Sequence, residues 1–93
     1  MVLTEAVGEL VMLFEDANRD EQAAMRRALN RGALDTLVGF ARQMSHEAVS
    51  RNAPELIELG LTALEIVREG SDFRDTAIAR DELVAAAARV KCG

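Results

Sequence analysis

Apolar residues return at three- and four-residue steps through almost the whole chain, and this constrains the fold more than any other feature. Val7, Leu10, Val11 and Phe14 make one such series, and Leu34, Leu37, Val38 and Ala41 make another. The stretch PELIELGLTALEIVRE (54–69) makes a third. This spacing gathers side chains on one face of an α-helix, whereas strand alternation would scatter them over two faces. Composition points the same way. Alanine and leucine dominate, with a single proline and no tyrosine or tryptophan. Both favoured residues are good helix formers, and the residues that favour strands are sparse and scattered. The 93 residues should therefore form one small all-helical domain, which buries only about two-thirds of its unfolded surface.

Capping residues divide the chain. Thr4 is the expected N-cap of a first helix that ends near Asp16 to Asn18. Asn18 and Glu21 have the spacing of a capping box, which opens a second helix, EQAAMRRALN (21–30). Its apolar face would be Ala24, Met25, Ala28 and Leu29, and Arg26 and Arg27 would form surface ion pairs with Asp20 and Glu21. Only a short Asn-Arg-Gly link precedes a third helix from Ala33 to about Met44. Gly32 is expected to take the left-handed conformation there and turn the chain sharply. SHEAVSRN (45–52) reads as a loop or one short turn. Asn52, with Pro54 and Glu55 behind it, reads as the start of a fourth helix that Gly70 closes. Ser71 or Asp72 would cap a segment reaching Arg80, and a last helix would run from Asp81 to about Val90.

The chain also resembles itself at a shift of 49 residues. Residues 21–34 lie over 70–83, matching Ala28 with Ala77, Leu29 with Ile78, Arg31 with Arg80 and Leu34 with Leu83. At the same shift Val7 falls on Leu56, Glu9 on Glu58 and Leu10 on Leu59. RRALNRGALDTLVGFAR resembles the junction between the first two helices of an armadillo repeat, with a glycine in the corner. SDFRDTAIARDELVAAA is similar to the same junction one repeat later. PELIELGLTALEIVREG resembles the long third helix, through Ala63, Leu64, Val67 and Gly70. HEAT repeats are a close alternative. The match departs from the pattern at Asp81, which stands where Gly32 stands in the first corner, and in the length of SHEAVSRN. The resemblance implies an all-α, right-handed solenoid fragment of five or six helices. It would hold a third-type helix at 4–17, one complete repeat at 20–69, and two helices of a further repeat at 71–91. The alternative is a closed bundle of four or five helices.

No catalytic constellation is visible, so no enzyme, metal or cofactor is expected. His46 is the lone histidine and is expected to face solvent in a loop, and Cys92 is the lone cysteine, so no disulfide framework can form. The methionines fall on apolar faces and read as core filler. A net charge of −5 and the lack of aromatic platforms argue against nucleic acid. Glutamates interrupt the first apolar stretch and no basic leader precedes it, so neither a signal peptide nor a membrane span is expected. An intracellular, cytoplasmic setting follows as the expectation.

One polar pattern is specific enough to name. Glu55, Glu58, Thr62, Glu65 and Glu69 share one stripe of the fourth helix, and Glu9, Asp16 and Asp20 are expected on the matching face of the first. Third helices line the concave groove of armadillo proteins, so the resemblance implies an acidic concave face for a protein or basic peptide. Importin-type armadillo proteins place a tryptophan and an asparagine on this helix to hold a peptide. The corresponding residues here, Thr62 and Ile66, supply neither the aromatic wall nor the amide, so nuclear-signal binding is not carried over. The last helix would lack a partner, leaving Leu83, Val84, Ala87 and Val90 as an edge for homo-oligomerisation.

Overall fold

The computed structural model describes residues 2–67 and 73–90. They form five helices and no strand: α1 (Val2–Asp16), α2 (Arg19–Ala28), α3 (Arg31–Arg51), α4 (Pro54–Val67) and α5 (Phe73–Arg89). α3 is central in packing, lying against α4 and α5, while α1 leans chiefly on α4. α1 and α5 do not touch. The core draws on α1, α3, α4 and α5, with Val11, Leu37, Leu64, Ile66 and Leu83 almost wholly removed from water. The series Leu34, Leu37, Val38 and Ala41 is buried as its spacing predicts.

The capping box is present. The Glu21 amide donates to Asn18 Oδ1 at 2.9 Å, and the Asn18 amide donates to Glu21 Oε1 at 3.0 Å. α2 nevertheless spans residues 19–28 rather than 21–30. None of its residues is buried, since Met25 and Leu29 are half-covered and Ala24 and Ala28 are exposed. α1 begins at Val2, so Thr4 lies inside it and is not its cap.

The first corner is built differently from the glycine turn expected. Leu29 (φ −81°, ψ 132°) and Asn30 (φ −90°, ψ 175°) are both extended. Asn30 then caps α3, its Oδ1 accepting from the Ala33 amide at 2.8 Å. Two extended residues make the turn, so no left-handed residue is required, and Gly32 sits in the first turn of α3. Among the described non-glycine residues, the positive φ falls instead at Asn52 (φ 51°, ψ 50°). Its amide donates to the Ala48 and Val49 carbonyls, and the Ala53 amide donates to Ala48 O at 2.9 Å. That is a Schellman-type closure, in a conformation asparagine tolerates better than most residues. Asn52 thus closes α3 rather than opening α4, whose first residue is Pro54, where its missing amide costs nothing.

SHEAVSRN is not a loop. α3 runs through it to Arg51, and Met44, Ser45 and Ala48 are buried. The Ser45 hydroxyl is satisfied within the helix, donating to Arg42 O at 2.6 Å, so its burial leaves no orphan donor. The second corner is also missing. Arg80 and Asp81 lie in the middle of a continuous α5, so the two helices expected over 71–91 are one, at Phe73–Arg89. The proposed ends at Gly70, Ser71 and Asp72 lie outside the described residues.

Gly60 sets the closest approach in the core. A Cβ built there would lie 2.8 Å from Leu83 Cδ2, 3.2 Å from Leu83 Cδ1 and 3.4 Å from the Ala41 carbonyl oxygen. Three helices therefore converge on one bare backbone position, which only glycine leaves open.

Candidate interaction surfaces

Glu55, Glu58 and Glu65 are exposed on α4, with Thr62 half-buried between them. Ile66 is not part of this surface. It is 1% exposed and belongs to the core, because one turn beyond Thr62 the helix has rotated toward its buried face. Glu69 lies outside the described residues. On α1, Glu9 and Asp16 are exposed, as are Glu5 and Glu15, and the helix carries no basic residue. None of these carboxylates is in an ion pair among the described residues.

Arg26 brings the two acidic helices together at one end. Its guanidinium lies over the Phe14 ring, 5.0 Å from the centroid, and its Nη2 donates to Glu65 O at 3.2 Å. Gln22 Nε2 donates to Phe14 O at 2.8 Å. Phe14 lies in the last turn of α1, where its carbonyl also accepts from the Ala17 amide at 3.2 Å, and Glu65 lies in the last described turn of α4; the dipole at a helix C-terminus favours cations. α2 is thus a polar clip across the adjacent C-terminal turns of α1 and α4. The buried Arg26 Nε has no hydrogen-bond partner among the described residues, and the ring beneath the guanidinium supplies its compensation. Arg26 is not engaged with Asp20 or Glu21, because the carbonyl at the end of α4 and the Phe14 ring take it first. Arg27 is exposed and makes no ion pair among the described residues.

The expected edge on the last helix divides. Leu83 and Val90 are buried, at 0% and 7% exposure, because α5 packs against both α3 and α4. Val84, 61% exposed, and Ala87 face solvent. Met12, expected as core filler, is exposed beside Leu13.

A shallow groove of about 330 Å³ lies between α3 and α5, lined in part by His46, Ser50, Glu82 and Arg89. At its margin Arg42 Nε donates to Glu82 Oε1 at 2.7 Å, with Nη2 3.4 Å from Oε2. These hydrogen bonds hold the Glu82 carboxyl below the usual carboxylate range, against a smaller opposing effect of burial. The same bonds raise Arg42. His46 is exposed, but on α3 rather than in a loop. Among the described residues no three metal-ligating side chains converge, and no helix is long and apolar enough to cross a membrane.

Periodicity finds the stripe but misses the Arg26 clip and the Arg42–Glu82 pair. Each joins residues about forty positions apart and has no local signature. No protein-family model, curated protein or solved structure matches the chain.

Proposed function

We propose that this chain is a non-catalytic protein-interaction module, in an intracellular, cytoplasmic setting, whose acidic α1/α4 face receives a basic peptide or a basic patch of a partner protein. The observation that carries it is the juxtaposition of α1 and α4. Their C-terminal turns share Arg26, and Glu9, Asp16, Glu58 and Glu65 are exposed without ion pairs among the described residues. Unpaired carboxylates of one sign attract a cationic partner and repel nucleic acid. An armadillo-like arrangement is part of the same proposal. In that family successive third helices are neighbours, and here the two helices with that resemblance lie against each other.

The test is a fluorescence-anisotropy titration with a Lys/Arg-rich peptide, at low and physiological salt, on wild type and on Glu58→Gln/Glu65→Gln. Exposed charge pairs contribute roughly 0.2–1 kcal/mol each, so the double variant should bind about 2- to 30-fold more weakly. Its helical circular dichroism should be unchanged. Binding that ignores both salt and the substitutions would sink the proposal.

A further inference from the structure

We propose that the outer face of α1 in one molecule docks on the outer face of α5 in a second copy, so that the chains associate head to tail. The inference rests on the reading of α1 as a binding face and names its partner. Five large apolar side chains are exposed among the described residues, and four of them fall on these two helices: Met12 and Leu13 on α1, Ile78 and Val84 on α5. Single exposed apolar residues are ordinary on protein surfaces. These occur as two pairs on the two helices that do not touch, with α3 and α4 standing between them.

The α5 face suits a second helix. Ala77, Ile78, Val84, Ala85 and Ala88 are exposed, and they recur at heptad-like spacing around a single charge, Asp81. Small side chains in such a seam let a second helix come close.

Charge selects the unlike pairing. α1 carries Glu5, Glu9, Glu15 and Asp16 and no cation. The α5 face is flanked by exposed Arg80 and Arg89, neither in an ion pair among the described residues. Pairing α1 with α1 would oppose carboxylates only, whereas pairing α1 with α5 sets carboxylates against free guanidinium groups. Such a contact uses two different surfaces, so a docked pair leaves one α1 and one α5 free to continue the chain. One helix on another buries less than the ~1,600 Å² of a standard interface, so the association should be weak, with Kd of about 10 µM to 1 mM.

Sedimentation equilibrium of the full chain tests this directly. Wild-type mass should rise with concentration past the dimer and fall back at high salt. Leu13→Glu and Val84→Glu should each remain monomeric, while their equimolar mixture should form a heterodimer, because each variant keeps the face the other lacks. Both positions are more than half exposed, and Leu13→Gln and Val84→Gln replace any charged variant whose helical signal is lost. A wild type that stays monomeric into the millimolar range, a mixture that does not pair, or self-association surviving in either variant would overturn the proposal. Titrating Val84→Glu with the basic peptide separates the two readings. Val84→Glu should bind the peptide as a monomer; a wild type that binds the peptide without self-associating defeats the head-to-tail contact alone, and a wild type that does neither defeats the interaction module as well.

Discussion

Replacing Gly60 with alanine adds one methyl where three helices meet, and its cost can be worked from the distances. Alanine is better than glycine in a helix interior by about 1 kcal/mol, so an unobstructed change would stabilise. At Gly39, also within a helix, a Cβ meets nothing within 4 Å, and Gly39→Ala should deliver roughly that gain. At Gly60 the new carbon would stand 2.8 Å from Leu83 Cδ2. Leu83 ends in a flexible isobutyl group, but it is wholly buried, and the Ala41 carbonyl at 3.4 Å belongs to backbone. The residue therefore has little room to give. Overpacking of this kind costs about 1–3 kcal/mol, which outweighs the propensity gain. The net expectation is a loss of up to about 2 kcal/mol, or a melting temperature lower by up to roughly 15 °C in a domain of this size, in place of the gain at Gly39. Urea unfolding followed by circular dichroism measures it. Leu83→Val removes both δ carbons from the contact, so Gly60→Ala should become neutral or stabilising in that background. If Gly60→Ala stabilises wild type as much as Gly39→Ala does, the three-helix contact is not tight and the reasoning fails.

Two further outcomes follow from local geometry. Asn30→Ala should cost about 1 kcal/mol by removing the α3 cap, while Gly32→Val should change stability by no more than about 0.5 kcal/mol because Gly32 has no positive φ; thermal melts of the two variants decide the order. The lowered Glu82 carboxyl contributes stability above its unfolded pKa of about 4.3, and that contribution disappears as pH falls through the lower folded value. Glu82→Gln should therefore make the acid limb of the stability–pH curve shallower below about pH 4.3, by a small amount because the pair is exposed, and leave its shape near neutrality unchanged.

Helix content was legible because periodicity and composition agree, and the Asn18–Glu21 box was legible because it is strictly local. Corners were harder. Gly32 looked like a turn because glycine permits one, yet the neighbouring Asn30 offered a side-chain cap and extended backbone sufficed. Met44 and Ala48 continue the apolar series of α3, but Ser45, His46 and Glu47 between them and Ser50 and Arg51 after them mask it. Burial decides that segment, and α3 is covered by α4 and α5, which come later in the chain. Asp81 marked the point where the repeat ceased to match, and there the corner is replaced by uninterrupted helix. The acidic stripe was readable up to its boundary. Ile66 shows that the boundary between stripe and core depends on the rotation of α4 against its neighbours, which spacing alone leaves open.

α2 divides the molecule into two energy scales. It contributes no fully buried side chain, and its hold consists of Gln22, Arg26 and the half-covered Met25 and Leu29. Detaching it exposes little apolar surface, whereas detaching α4 would open the whole core. Partial unfolding should therefore begin at α2, at a free energy well below that of global unfolding. The event would not stay within α2. With Gln22 and Arg26 gone, the Phe14 and Glu65 carbonyls would lose their side-chain donors together, so the last turns of α1 and α4 would loosen in step. A ten-residue helix thereby couples the fraying of two others that share no covalent neighbour.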